Sequence, residues 1–264
     1  MYELQYSKPS SVNDAVSEIK NSSDAKFLAG GMTLIPTLKA RLSSADTLVD
    51  LKGSNLSNIS VSSSEITIGS MTRHCDVASS KDIQSSLPAL SKLAGGIGDH
   101  MVRSCGTIGG SIANNDPAAC YPSAALALDA TITTNERSIS ADKFFVGMFE
   151  TALNEAEVIT DVKFQIPEKA SYIKFPNPAS RYAMVGVFIA KKASGVAVAV
   201  TGAGENGVFR CSEIENALNS SFSKDALDNI NISSDGLNSD IHASAAYRAN
   251  LIIEMAKRAV QEIS

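Results

Sequence analysis

The sequence predicts an α+β protein of two parts. Three observations carry that expectation: the first fifty residues alternate helical and strand patterns, a long alternating run ends at Pro167, and two neighbouring apolar runs beyond it precede a closing segment of helical period. At 264 residues, with 44% hydrophobic and 19% charged side chains, the chain can fill two moderate cores. Its formal net charge of −5 comes without a clustered basic face, which argues against a nucleic-acid surface. No apolar run approaches the roughly 18–20 residues of a membrane span. The N-terminus lacks a basic segment followed by an apolar one, so a cytoplasmic setting is expected. Cys75, Cys105, Cys120 and Cys211 form no C-x-x-C pair of the kind that binds zinc or an iron–sulfur cluster, and they are read as free thiols.

Val12, Ala15, Val16 and Ile19 form an i, i+3, i+4, i+7 stripe, and Ser11 with Asp14 three residues on resembles a capping box, so a helix is expected there. Residues 26–29 read as a strand, Leu34, Ile35 and Leu38 return to helical spacing, and residues 47–51 read as a second strand. Ile59, Val61, Ile66 and Ile68 alternate as short strands, residues 72–79, 88–94 and 124–128 suggest helices, and residues 131–139 suggest a hairpin. Residues 157–166 alternate as a strand. Beyond Pro167, residues 185–190 and 195–201 read as antiparallel strands joined by a turn at 191–194. Helices are expected at 212–218 and 244–263, the last with Leu251, Ile252, Met255, Ala259 and Ile263 on one face.

Two glycine pairs carry the chemistry. A glycine pair lets backbone N–H groups approach a ligand with no Cβ in the way. Gly30-Gly31 stands at a strand-to-helix junction, where helix donors favour an anion. Gly109-Gly110 stands in residues 107–117, flanked by the donors Thr107, Ser111 and Asn114 and closed by Asp116-Pro117. Either pair alone reads equally as a structural turn. Together they fit a clamp on the two phosphates of a pyrophosphate. A dinucleotide fingerprint is excluded at the first pair, although Asp50 stands where a ribose-binding acid would, because positions 33 and 34 are Thr and Leu. The G-x-G-x-x-G at residues 202–207 precedes the strand-like Val208-Phe209-Arg210, and its Asn206-Gly207 is a hairpin signal, so it is read as a hairpin. His74, His100 and His242 accompany no catalytic motif and are read as surface or supporting residues, with His100 the candidate for a place near a ligand.

The segment Leu28-Ala29-Gly30-Gly31-Met32-Thr33-Leu34-Ile35-Pro36, taken with Arg103-Ser104-Cys105-Gly106-Thr107-Ile108-Gly109-Gly110-Ser111-Ile112-Ala113-Asn114-Asn115-Asp116-Pro117-Ala118, resembles the FAD-binding medium subunit of the molybdenum hydroxylases, the xanthine dehydrogenase and carbon monoxide dehydrogenase family. The likeness runs the length of the chain and includes Ser239-Asp240 through Tyr247-Arg248 before the last helix. It implies a two-part FAD-binding domain, residues 1–166, made of an αβ subdomain (about 1–53) and a mixed-sheet subdomain (54–166). An α+β domain with a three-stranded antiparallel sheet and helices follows at 167–264. It further implies that Leu28 to Leu34 and Thr107, Ile108, Gly109, Gly110, Ser111, Asn114 and Asp116 hold FAD. Ile97, Ile159 and Lys174 would make further contacts, and Tyr182 would cover the isoalloxazine ring. Two departures stand out: Cys120 replaces an acid found in many relatives on the ribose or adenine side, and Arg181 replaces the residue before the covering tyrosine. The absence of a cysteine-bearing insertion argues against the benzoyl-CoA reductase branch. The implied function is an electron-transfer flavoprotein subunit working with a 2Fe–2S small subunit and a molybdopterin large subunit, with no catalytic side chain of its own. A free-standing flavin oxidoreductase and a flavin-less nucleotide-binding module are the alternatives.

Overall fold

The computed structural model describes residues 1–264. The chain opens with β1 (Gln5–Ser7), α1 (Val12–Lys20), β2 (Ala25–Leu28), α2 (Leu34–Lys39) and β3 (Thr47–Asp50), and the strands form a parallel sheet of order β1-β3-β2. Ser11 caps α1 as its spacing predicts, its hydroxyl accepting from the Asp14 amide at 3.1 Å. β1 is an addition to the expected αβαβ unit. It is three residues long and half-exposed, too short to show a period.

Next come β4 (Ile59–Val61), β5 (Glu65–Gly69) and six helices: α3 (His74–Ser79), α4 (Lys81–Ser86), α5 (Pro88–Gly95), α6 (His100–Cys105), α7 (Ile108–Asn114) and α8 (Tyr121–Ala127). They are followed by β6 (Thr131–Thr134), β7 (Ser138–Ser140), α9 (Ala141–Phe144), β8 (Phe145–Gly147), β9 (Glu150–Thr151) and β10 (Ile159–Gln165). A five-stranded sheet of order β4-β5-β10-β6-β7 results, and β8 pairs with β9 as a small hairpin. Asn115, at φ 42°, closes α7 and pins that hairpin by donating from Nδ2 to the carbonyls of Gly147 and Glu150 while its own carbonyl accepts from Phe149 N.

Beyond Pro167 lie β11 (Lys169–Pro176), β12 (Ala183–Lys192), β13 (Gly195–Gly204) and β14 (Gly207–Arg210), then α10 (Ser212–Ser220) and α11 (Ala245–Ile263). The sheet β11-β12-β13-β14 has four strands rather than three. The fourth is the second arm of the hairpin predicted at Asn206-Gly207, so the G-x-G-x-x-G is a turn between strands.

β12 up to Ala190 and β13 up to Val200 carry no polar side chain because both faces of their sheet are covered. Phe188, Ala190, Ala197 and Ala199 face the helices of the middle segment and join one core with Ala124, Ala125 and Ala127 of α8 and with the five-stranded sheet. The small side chains let α8 lie close to the strands. Val187, Ile189, Val196, Val198 and Val200 face the other way and pack on Ile214, Leu218, Ile252, Met255, Ala259 and Val260 of α10 and α11. Arg248 ties α11 to this sheet from inside: Nη1 donates to the carbonyls of Met184 (2.6 Å) and Gly202 (3.1 Å), and Nη2 to Asp240 Oδ2 (2.7 Å). Arg248→Leu leaves those carbonyls without a donor and is expected to cost about 2–4 kcal/mol of stability. Urea unfolding of the variant beside wild type measures the loss, and an unchanged midpoint refutes it.

Candidate functional site

The two glycine pairs meet on one cleft of about 740 Å³, within the ~300–1,000 Å³ range of small-molecule and cofactor sites. The sequence-predicted residues Ala29, Gly30, Gly31, Met32, Thr33 and Leu34 form one wall, and Thr107, Gly109, Gly110, Ser111, Asn114, Asp116 and Cys120 form the wall opposite. Ile97, Ile159, Lys174 and Tyr182 complete the lining. Leu28 and Ile108 do not reach it. Leu28 packs beside Leu38 and Leu48, and Ile108 is fully buried in the main core.

Glycine is required here mainly for backbone packing. A Cβ on Gly30 would stand 2.3 Å from the Cys105 carbonyl oxygen, and one on Gly109 would stand 2.5 Å from Ser70 Cβ. Gly31 adopts φ +71°, which turns the chain from β2 into α2. Gly110 is the roomier position, with Thr107 Oγ1 at 3.0 Å and Ala29 Cβ at 3.4 Å from a built Cβ. Beneath the cleft, residues 70–74 run antiparallel to residues 106–109. Ile108 N donates to the Thr72 carbonyl, Gly109 N to the Ser70 carbonyl and His74 N to the Gly106 carbonyl, at 2.8–3.0 Å.

The pairs differ in what they offer a ligand. The amides of Gly30, Gly31, Met32 and Thr33 donate to no acceptor within the chain. Those of the second pair are already in use: Gly109 N bonds Ser70, and Gly110 N bonds the Thr107 hydroxyl at 3.2 Å. The second segment is not the loop expected from its glycines but the first turn of α7, with Thr107 as its cap. A cap hydroxyl three residues ahead of the second glycine was the available signal for it. What this wall presents to the cleft is the side chains of Ser111 and Asn114, which make no hydrogen bond within the chain. Asp116 accepts the Ala118 amide at Oδ1, and burial raises its carboxyl above the usual range. A row of unpaired amides, two free polar side chains and apolar walls at Ile97, Ile159 and Leu153 suit a cofactor with a charged, phosphate-bearing end and an apolar ring.

His74 is the principal residue that sequence reasoning missed. It is buried on the cleft wall, with its ring centroid 5.5 Å from that of Tyr121 and the two planes tilted by 43°. Its neighbours in sequence are polar, so nothing marked it. His100, the histidine proposed for nearness to a ligand, is exposed at the start of α6 and lies outside the lining. Burial, aided by the Arg103 charge, holds the His74 imidazole at about 4. Asp50 is also placed away from the cleft, accepting from Tyr6 and capping the turn at Lys52.

Fold and cleft together define a protein with a cofactor-sized cleft that offers unpaired backbone amides and is lined by no dinucleotide fingerprint. A family model described as the FAD binding domain in molybdopterin dehydrogenase matches residues 2–169, and the chain belongs to that family. It is 32% identical to the glyceraldehyde dehydrogenase medium chain of Sulfolobus acidocaldarius over 99% of both chains. It is 36% identical to the 6-hydroxypseudooxynicotine dehydrogenase complex subunit alpha of Paenarthrobacter nicotinovorans, over 89% of this chain and 85% of the other. Among solved structures, carbon monoxide dehydrogenase from Hydrogenophaga pseudoflava superposes with a TM-score of 0.86 at 30% identity, over 98% of this chain and 96% of that one. The chain is thus an FAD-binding medium subunit, the flavoprotein part of a molybdenum hydroxylase-type oxidoreductase.

Gly30→Ala is expected to destabilise the fold by about 1–3 kcal/mol through overpacking. Gly110→Ala should keep wild-type stability and weaken FAD binding instead. Melting curves of the FAD-free proteins, paired with FAD titration, separate the two outcomes, and a Gly30→Ala protein as stable as wild type contradicts the close approach. For His74, the unfolded state binds a proton more readily than the folded state between pH 6.5 and about 4, so stability falls as pH drops through that window. The loss amounts to roughly 3 kcal/mol at most. His74→Asn should flatten this slope in denaturant unfolding at pH 7.0 and 4.5, whereas an equal slope in both proteins refutes the assignment.

Proposed function

We propose that this chain is the electron-transfer subunit of a hetero-oligomeric molybdenum hydroxylase or dehydrogenase. It would take electrons from the 2Fe–2S clusters of a small subunit that serves a molybdopterin large subunit, and pass them to an external acceptor. The observation that carries the reading is the cleft between β2–α2 and α7, where four unpaired amides face free polar side chains. In it, the Gly30–Thr33 amides would hold the pyrophosphate, with Thr107, Ser111 and Asn114 of the same lining as its polar side-chain partners. Asp116 and Cys120 would lie on the sugar side, Ile97 and Ile159 would supply apolar walls, and Tyr182 would cover the ring; all five line the cleft. Bound flavin supplies the one- and two-electron redox chemistry. The side chains hold it, exclude water and set its surroundings, and none is asked to act as acid or base.

The division into residues 1–166 and 167–264 is part of this proposal. It is supported by a family model that ends at residue 169 and by sheets that do not cross Pro167. A cytoplasmic setting is proposed as well. No helix of the chain is long and apolar enough to cross a membrane. Affinity purification of the chain from its own cells should bring two further subunits, flavin absorbance, iron and molybdenum. A flavin-loaded chain that elutes alone would instead favour a free-standing oxidoreductase, and a colourless one the flavin-less module.

A further inference from the structure

Lys174 stands on β11 at the edge of the cleft, opposite Gly186 in the ladder. Its ammonium donates to the Gly96 carbonyl at 2.6 Å and to the Arg181 carbonyl at 3.0 Å, and it lies 3.6 Å from Cys120 Sγ. An ammonium has three protons, so its donor capacity is spent within the chain. The Gly96 carbonyl lies at the end of α5, where helix carbonyls lack partners and a cation is favoured. The thiol at 120 offers the ammonium no carboxylate, and two carbonyls take up its stronger bonds.

The Arg181 carbonyl belongs to the turn that carries Tyr182. That turn is held internally by Asn177, which donates from N to the Tyr182 carbonyl and accepts the Arg181 amide, both at 2.8 Å. Arg181 is left-handed at φ +64°, a conformation that a residue with a Cβ keeps only when its surroundings impose it. Residues 178–181 are exposed, and Tyr182 is 47% exposed while lining the cleft.

We propose that Lys174 is a positioning residue: it fastens the turn at residues 177–182 to the end of α5, so that Tyr182 stays over the cleft. The role of Tyr182 as the cover of the flavin rests on the function proposed above, whereas the fastening itself does not. Released from Lys174, the turn would open locally while the sheets on either side remain intact.

Trypsin tests this directly, because it cuts after Arg181. In the FAD-free full chain, Lys174→Met is expected to raise the cleavage rate at Arg181–Tyr182 by about tenfold or more, with cutting at the other sites that both proteins share unchanged and Lys174→Arg recovering part of the protection. In the FAD-loaded variant, iodide should quench the flavin fluorescence more strongly than in wild type. Unchanged cleavage at Arg181 overturns the proposal, and so does a large loss of FAD affinity with the turn still protected, which would make Lys174 a cofactor contact. Should the methionine variant fail to fold, amide exchange at residues 179–182 in Lys174→Gln decides the same point: faster exchange supports the fastening and unchanged exchange overturns it. If wild type itself binds no FAD, the proposed function falls, and cleavage in the FAD-free chain still decides the fastening.

Discussion

Three backbone segments come together beneath the cleft at distances that exclude side chains. The turn after β2 lies against residues 105–106, the Gly106 carbonyl accepts the His74 amide, and the first turn of α7 lies against Ser70. Such close approach is possible only where Cβ is missing: Gly30 lies against the Cys105 carbonyl, Gly106 against the His74 imidazole, and Gly109 against Ser70. The cleft is the space left above this junction. Its two walls belong to different layers, the parallel sheet on one side and the helices over the five-stranded sheet on the other, and the junction fixes how far apart they stand. A methyl group at the wrong position would therefore alter the spacing of every group that lines it.

The same logic runs through the C-terminal sheet. Alanines on one face of β12 and β13 and branched side chains on the other place a helix layer close to the first face and α11 against the second. Because Phe188 and Ala199 share a core with the five-stranded sheet, the strands that carry Lys174 and the Tyr182 turn are held against the part that carries the glycines. The upper rim of the cleft is thus contributed by a sheet that begins only after Pro167.

Much of this was legible in the sequence. The helices at 12–20, 88–95 and 245–263 and the paired strands 183–192 and 195–204 carry clear periods, and Asn206-Gly207 marked its hairpin. Convergence of the two glycine segments on one site followed from their resemblance to a known pair, and the structure brings them onto one cleft. Physical reasons account for the rest. α7 hid behind its glycines, which lower helix propensity, and α4 and α6 are single turns and a half with no full apolar face. His74 gave no pattern because its burial comes from segments far away in sequence, and the saturation of the Lys174 ammonium depends on carbonyls at 96 and 181. The sequence also made the two glycine pairs look alike, whereas hydrogen bonding makes one a donor surface and the other a packing device.

That inequality links the life of the chain to its cofactor supply. The turn after β2 is held by packing on the Cys105 carbonyl and by bonds from Ile35 and Thr37, yet its amides at 30–33 lack partners that a ligand would supply, while the second wall is complete without one. A ligand that binds only the native state stabilises it by mass action, by about 2.7 kcal/mol at a hundredfold excess over its dissociation constant. Newly made chains that outnumber the available flavin would be the first exposed to cellular proteolysis, so the abundance of the subunit would be trimmed to the amount that can be loaded.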